Sequence, residues 1–379
     1  MKAKSIKGRS LNEIKTGLEK SISDGFKPTL AFVFLSVNQD RRSITALFDA
    51  EKISIYGITT HGEFIDEESE MGTIVILLLD LNKNYFHIYL EEYPEKNYRE
   101  VAKRVALQAK EKFPRPAFFI GGSNIETDAE ALLYGFEDAI GNDVNVFGGM
   151  AGDDFSFSEQ FVFTNGKESN IGLVCIAFDE DKISINGKAT CGWKPVGTER
   201  TVTKSIGNHV YTIDGIPALD ITAKYGGIEN LSEENEGLAM ELATQFPLQL
   251  QKDFGDPVMR PALRIGWSDH SYYCSGSVPE GSKVRFSLPP DFDVMDKVIQ
   301  NTIEVKKTEM PEVDALIIFS CGGRFIAFGP LMKMEIEGIQ NVWNAPMAGM
   351  FSMAELGRST GGNLEMHNMT TCVVTLKEK

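Results

Sequence analysis

The stretch Gly57-Ile-Thr-Thr-His-Gly-Glu63-Phe64 is a glycine-containing turn that ends in an acid and an aromatic residue. It has two counterparts further along the chain, Gly148-Gly-Met-Ala-Gly-Asp-Asp154-Phe155 and Ala348-Gly349-Met-Phe-Ser-Met-Ala-Glu355-Leu356. Each turn follows an apolar, strand-like run and a helix-length stretch, and these runs begin near Thr29, Ala117 and Ala315. The recurrence predicts an internal repeat of strand, helix, strand and turn.

The segments around these turns predict an α/β fold of mixed α+β type. Residues 30–35 and 74–79 are apolar without alternation, which is typical of strands covered on both faces. Ser10 and Glu13 form a capping box before an amphipathic helix at 11–22. Strands at 73–80 and 84–91, with Leu81-Asn82-Lys83 between them, are predicted to pair as a hairpin. We expect two domains of layered mixed sheets with flanking helices.

The composition limits the classes of partner. The chain has 379 residues, 42% hydrophobic and 24% charged, with a net charge of −16. This acidity disfavours nucleic acid and anionic membrane surfaces, so a small molecule or a protein is the expected partner. The sequence shows no secretory signal and no apolar run of about 20 residues, which predicts a cytoplasmic location. Five cysteines without a CxxC pair indicate reduced thiols rather than bridges or a zinc site.

The first candidate site is Ile317-Ile-Phe-Ser-Cys-Gly-Gly-Arg324. A strand that ends in Cys321 and runs into a helix through Gly322 and Gly323 places the thiol beside backbone N–H groups, which predicts a lowered pKa. The same residues predict an anion pocket, with Arg324 gripping a carboxylate or phosphate. The alternative is a buried cysteine at a tight turn, with Arg324 in a solvated ion pair.

The second candidate is the segment His367-Asn368 before the last strand. Together with Glu355 and Arg324 it predicts a zwitterion site, in which the arginine takes a carboxylate and the glutamate an ammonium. Cys321 with His367 is the alternative of another class, a thiol hydrolase. Secondary candidates are Glu63, Asp154 and Trp193, while Asp153-Asp154 and Glu67-Glu68 are more simply solvated acids. The five histidines are scattered singly, which disfavours a metal site: His61, His87, His209, His270 and His367.

Several of these segments together resemble the FIST family. The segments that resemble the N-terminal half of that family are Val146-Phe-Gly-Gly-Met-Ala-Gly-Asp-Asp154, Phe163-Thr-Asn-Gly166, Gly192-Trp-Lys-Pro-Val-Gly197, Val202-Thr203 and Asp214-Gly-Ile-Pro-Ala218. The segments that resemble its C-terminal half are Val278-Pro-Glu-Gly281, Phe319-Ser-Cys-Gly-Gly-Arg324, Gly349-Met-Phe-Ser-Met-Ala-Glu355 and His367-Asn-Met-Thr370. The family's C-terminal turn is more often Gly-Phe-Tyr-Thr-x-Gly-Glu, so Met350, Ser352 and Ala354 depart from it. The resemblance implies an N-terminal domain at 28–224 and a C-terminal domain at 225–370.

The resemblance also implies a sensory input module that binds a small, often amino-acid-like ligand. Such a module passes ligand occupancy to a histidine kinase, a diguanylate cyclase or a chemoreceptor, and here it would act in trans. Some stand-alone relatives are haem-binding nitric oxide sensors, which is the alternative expectation within the sensor class. Haem requires an axial residue, and the candidates are His61, His209, His270 and His367. We expect the ligand in the C-terminal half, held by Cys321, Gly322, Gly323, Arg324, Glu355, His367 and Asn368.

Overall fold

The computed structural model describes residues 1–65 and 68–379, so Glu67 and the side chain of Glu68 lie outside the described part. Its elements form three successive units of the same order. Unit 1 contains β1 (Lys2–Gly8), α1 (Leu11–Ile22), β2 (Leu30–Ser36), α2 (Arg41–Ala50), β3 (Ser54–Thr60), β4 (Glu63–Ile65), β5 (Glu68–Glu70) and β6 (Ile74–Asp80). Unit 2 contains β7 (Phe86–Glu92), α3 (Tyr98–Lys112), β8 (Pro116–Gly122), α4 (Ala129–Ile140), β9 (Val146–Gly149), β10 (Val162–Thr164), β11 (Lys167–Ser169) and β12 (Gly172–Asp179).

Unit 3 repeats this order around an insertion. It begins with β13 (Ile183–Thr190). The insertion contains β14 (Pro195–Ile206), β15 (His209–Ile213), β16 (Ile216–Pro217), α5 (Ala218–Gly226), α6 (Leu238–Gln245), β17 (Leu248–Leu250), β18 (Val258–Arg260), β19 (Ala262–Gly266), β20 (Ser271–Cys274) and β21 (Lys283–Ser287). The unit resumes with α7 (Phe292–Thr308), β22 (Ala315–Cys321), α8 (Gly322–Phe328), α9 (Met332–Trp343), β23 (Met347–Ser352), β24 (Glu355–Arg358), β25 (Leu364–His367) and β26 (Thr371–Glu378).

Each unit builds one six-stranded mixed sheet and lends a hairpin to another unit's sheet. The strand orders are β1-β6-β2-β3-β10-β11, β7-β12-β8-β9-β24-β25 and β13-β26-β22-β23-β4-β5. In all three, the two central strands are parallel and the last two come from a different unit. The predicted mixed α+β fold and internal repeat are therefore confirmed. The exchange of hairpins interlocks the units, since each of these three described sheets contains strands from two units.

The predicted hairpin of β6 and β7 is wrong. Strand β6 pairs with β1 and β2, whereas β7 pairs with β12 in another sheet. Leu81 to Lys83 is instead the connection from unit 1 to unit 2. The apolar runs of β6 and β12 each find a partner inside their own unit, and that pairing takes precedence over the local turn.

The central core lies where the inner faces of the three sheets meet. Phe319 of β22 contacts Phe34 of β2 and Phe119 of β8, with ring centroids 6.0 and 6.4 Å apart. The helices cover the outer faces, where α1 and α2, α3 and α4, and α7 and α9 pack against one sheet each. Burial on both faces explains why β2 is apolar from Leu30 to Leu35, since each buried phenylalanine or leucine stabilises the fold by about 1.5–3 kcal/mol.

A glycine marks the place where each borrowed strand pairs. Gly57 lies opposite Phe163, Gly349 opposite Phe64, and Gly148 opposite Leu356. A Cβ on Gly57 or Gly349 would lie 2.2 Å from a ring carbon of the facing phenylalanine, so glycine is required at both positions. In unit 2 the pairing residue is Phe163 rather than Phe155, the residue that the turn alignment predicts. The additional residues of this longer turn form a loop, the 152–161 loop.

The insertion forms a separate sheet with the order β18-β17-β21-β14-β15-β20-β19. It has its own apolar core, which includes Val202, Leu242 and Phe286. Arg260 attaches this sheet to unit 2, because its buried guanidinium donates to Glu130 Oε1 of α4 at 2.7 Å. No helix among the described residues is long and apolar enough to cross a membrane.

Candidate functional site

A cavity of about 70 Å³, the site cavity, lies at the carboxyl ends of the parallel strands β22 and β23. This is the edge at which ligands bind in open α/β sheets. Every unit contributes to its wall: His61 from unit 1, Phe155 and Phe157 from unit 2, and Cys321 and Ser352 from unit 3. The insertion closes it from the other side with Met240, Ala243, Thr244, Pro261, Leu263 and Ser275.

Four residues of the predicted site line this cavity: Cys321, Gly322, Gly323 and Asn368. The lowered pKa expected for Cys321 is wrong, because burial raises the pKa of its thiol to about 12. N–H groups of Met369 and Gly323 face the sulfur, but their effect is smaller than that of burial. The helix that follows has only seven residues. Cys321 therefore presents a neutral thiol to the cavity.

Arg324 does not line the site cavity. Its fully buried guanidinium forms an ion pair with Glu335 of α9, which is equally buried. It also donates to the carbonyl oxygens of Cys191 at 2.8 Å and Met369 at 3.3 Å. The pair is thus buried rather than solvated, and the charge is already neutralised inside the protein. Arg324 ties α8 to α9 and to the segment before the last strand.

Trp193 lies beside this ion pair and not in the cavity wall. The indole ring is 5.3 Å from the Arg324 guanidinium carbon, within the range of a cation–π interaction. The ring of Phe328 packs 5.7 Å away. The predicted aromatic candidate therefore belongs to the packing around Arg324.

Glu355 lies behind the cavity wall. Its Oε1 accepts a hydrogen bond from Ser352 Oγ at 2.7 Å, whereas Oε2 has no hydrogen-bond partner among the described residues. Burial raises the pKa of this carboxyl well above its usual range. The thiol of Cys321 lies next to the carboxyl and interacts with it. A neutral carboxyl behind a neutral thiol gives this wall no net charge.

His367 and Asn368 separate in the structure. The His367 ring is buried and bonds to the Gly357 carbonyl at 3.1 Å, and burial lowers its pKa to about 4. Among the described residues no hydrogen bond joins it to Cys321, so the nucleophile and base of a Cys-His hydrolase are not paired. Asn368 faces the cavity and accepts a hydrogen bond from Ser275 of the insertion at 2.6 Å.

The acids of the other two turns lie outside the cavity lining. Glu63 is buried and accepts hydrogen bonds from Thr60 and from the hydroxyl of Thr73, the latter at 2.7 Å. Burial raises the pKa of Glu63 to about 7. Asp154 accepts from Ser36 at 2.5 Å and from Asn38 at 3.0 Å, at the carboxyl end of β2. The three turn acids therefore have separate partners.

His61 is a site residue that the sequence indicated only as a haem candidate. Its Nδ1 accepts the N–H of Phe155 at 3.1 Å and faces that of Asp153 at 3.4 Å. The ring stacks on Phe155 with centroids 4.3 Å apart. Burial lowers the pKa of His61 to about 4, so the ring is neutral. Asp153, expected to be solvated, is fully buried, and its Oδ2 accepts the N–H of Ser158 at 2.7 Å.

The backbone of the 152–161 loop, which positions Phe155 against His61, is strained. Asp154, Phe155 and Phe157 have φ values of 54°, 62° and 50°, in the left-handed region that non-glycine residues rarely occupy. Such strain is typical of functional sites, where the surrounding structure enforces it. The sequence offered one signal for the loop, namely the longer distance from Gly148 to the strand that contains Phe163.

The remaining histidines do not meet at this cavity. His209 stacks between Tyr211 and Tyr273 and bonds to Ser271, and His270 pairs with Asp220 at 2.6 Å. The described residues contain no cluster of three metal-ligating side chains. At about 70 Å³ the site cavity is also far below the roughly 300–1,000 Å³ of pockets for drug-sized ligands. The site cavity is therefore too small for a haem group.

Comparison of the sequence with known proteins identifies the family of this chain. A FIST N domain matches residues 29–216 and a FIST C domain matches residues 218–358. The chain therefore belongs to the FIST family, whose domains are sensory domains of signal transduction. The chain is also similar to an uncharacterized protein of Methanocaldococcus jannaschii, with 25% identity over 366 residues that cover 86% of this chain and 67% of the relative.

Proposed function

We propose that this protein binds a small ligand in the site cavity and passes the occupancy of that cavity, in trans, to a signalling protein. The proposal rests on which parts of the fold supply the residues of the cavity wall. All three units and the insertion contribute residues to the wall of one cavity. A ligand that contacts every part of the fold at once can change their relative positions, which is what a sensory domain requires.

The rim of the cavity offers a route from ligand to partner. Phe157, Met240, Leu263 and Ile326 line the cavity and are also exposed at the surface. Phe157 belongs to the same loop as Phe155, which stacks on His61 inside. A ligand that displaces the His61 ring therefore moves an exposed aromatic side chain. The partner is a signalling protein that reads this surface, such as a histidine kinase, a diguanylate cyclase or a chemoreceptor.

A thermal-shift and calorimetric screen tests the proposal. The compounds are amino acids, organic acids and their uncharged amides and alcohols. A ligand at about 100 times its Kd stabilises the folded state by about 2.7 kcal/mol. Ala243→Leu fills the cavity from α6, and Ala46→Leu makes the same change on an exposed face of α2.

We expect at least one compound to bind the wild type and Ala46→Leu with one-to-one stoichiometry, and not to bind Ala243→Leu. Binding that survives Ala243→Leu would place the ligand elsewhere and overturn the site. Failure of every compound to stabilise the wild type would overturn small-ligand sensing by this chain.

A further inference from the structure

The wall of the site cavity carries no formal charge. The described residues that line it include no aspartate, glutamate, lysine or arginine. Arg324 and Glu355, predicted to hold the two ends of a zwitterion, lie behind the wall with partners of their own. An ionic group in this cavity would lose its hydration without gaining an opposite charge, which is strongly unfavourable.

His61 supplies a hydrogen-bond donor at this wall. Because Nδ1 accepts backbone N–H groups from the 152–161 loop, the proton of the neutral ring lies on Nε2. Nε2 adjoins Cδ2, and the Cδ2 edge faces Gly322, where a Cβ would approach Cδ2 to 3.0 Å. The Nε2–H group therefore lies on the Gly322 side of the ring.

The hydroxyl donors of the lining are already used. The hydroxyl groups of three lining residues donate within the protein: Ser352 to Glu355, Thr244 to the Met240 carbonyl, and Ser275 to Asn368. Their lone pairs still accept hydrogen bonds, but their protons are engaged. Asn368 Nδ2 donates one of its two protons to the Met353 carbonyl at 3.4 Å. Among these described side chains, the Nε2–H of His61 and the second amide proton of Asn368 have no assigned acceptor in the protein, and the bonds accepted by Nδ1 fix the position of the His61 donor.

On the basis of the proposed function, we infer that the ligand is a small uncharged molecule whose hydrogen-bond acceptor receives the Nε2–H of His61. A volume of about 70 Å³ holds a molecule of a few heavy atoms, since one water occupies roughly 10–15 Å³ on this measure. Short amides, ketones and alcohols fit this description, whereas free amino acids and carboxylates do not. His61 is the residue that determines this specificity.

Propionamide and propionate test the charge, because they have the same number of heavy atoms and differ in charge. Saturation-transfer NMR with the full-length protein measures binding of each compound. We expect propionamide to bind the wild type and Ala46→Leu but not Ala243→Leu, and propionate to bind at least about a hundredfold more weakly, a factor set by the cost of burying its charge.

Two variants of His61 test the donor. His61→Asn retains an acceptor near the position of Nδ1 and removes the donor at Nε2, whereas His61→Gln can place an N–H near Nε2. We expect His61→Asn to weaken propionamide binding about tenfold or more and His61→Gln to weaken it less. Circular dichroism spectra equal to the wild type's, together with the Ser158 amide resonance, verify that the loop is still folded.

Each outcome bears on a different statement. Propionate binding as tight as that of propionamide, and lost in Ala243→Leu, would overturn the uncharged class while the proposed function stands. Propionamide binding that is equal in His61→Asn and the wild type would overturn the role of His61. Absence of propionamide binding would overturn the inference, and the separate metabolite screen would then decide the proposed function.

Discussion

Removal of Arg324 gives the sharpest test of the interior of the C-terminal half. Arg324 and Glu335 are both fully buried, and the guanidinium serves two further carbonyl oxygens. Arg324→Met leaves the Glu335 carboxylate without its counter-ion, which in comparable buried pairs costs about 3–5 kcal/mol. Thr371 Oγ still donates to Glu335 at 2.6 Å and offsets a small part of the loss.

The double variant Arg324→Met/Glu335→Leu removes both charges. We expect it to cost about 1–3 kcal/mol, because the two carbonyl oxygens then lack their donor and Thr371 Oγ lacks its acceptor, but no charge is left buried. The double variant is thus more stable than the single one. Arg99→Met is the matched control, since its ion pair with Asp138 lies at the surface and contributes about 1 kcal/mol or less.

Urea unfolding followed by circular dichroism measures these differences as shifts of the midpoint at constant slope. The reasoning would be refuted if Arg324→Met lost less than about 1 kcal/mol and also abolished ligand binding, because the guanidinium would then serve the ligand and not Glu335. Equal costs for the single and double variants would refute the coupling between the two charges.

Two further predictions concern packing and pH. Gly349→Ala places a Cβ 2.2 Å from a phenylalanine ring carbon in the borrowed strand, so we expect a loss of about 1–3 kcal/mol in urea unfolding, against a negligible change for Gly166→Ala, which has open space. Folding lowers the pKa of His61 from 6.5 to about 4, so the unfolded chain takes up a proton first as the pH falls. The free energy of unfolding of the wild type, relative to that of His61→Asn, is therefore greatest above pH 6.5 and falls by up to about 3 kcal/mol between pH 6.5 and 4. Folding raises the pKa of Glu63 to about 7, so this carboxyl stabilises the fold at low pH instead. The free energy of unfolding of the wild type, relative to that of Glu63→Gln, is therefore greatest below pH 4.5, and this difference is lost above pH 7.

The repeat could be predicted because its signals are local. A glycine recurs in the second parallel strand of each unit, and it lies opposite an apolar residue of the borrowed strand in all three. The exchange itself could not be predicted, because the same local sequence suits a hairpin in its own sheet or in another. For the same reason β6 and β7 looked like neighbours although they belong to different sheets.

The sequence predicts only those residues of the candidate site whose positions depend on local sequence. Cys321, Gly322 and Gly323 follow a buried strand, and that position alone places them at the sheet edge. The role of Arg324 depends on Glu335, which reaches it only through the packing of α9 on α8. His61 enters the cavity from another unit through the exchanged hairpin, and no spacing along the chain reveals that contact.

The three units also explain why the cavity lies where it does. At the carboxyl end of β2, Asp154 bonds to Ser36 and Asn38. At the end of β8, the Tyr93 hydroxyl donates to the Ser123 carbonyl at 2.7 Å. At the end of β22 the chain has two glycines, and the insertion covers them from outside. At two equivalent positions side chains thus bond within the protein, and at the third lies the site cavity that we propose binds the ligand.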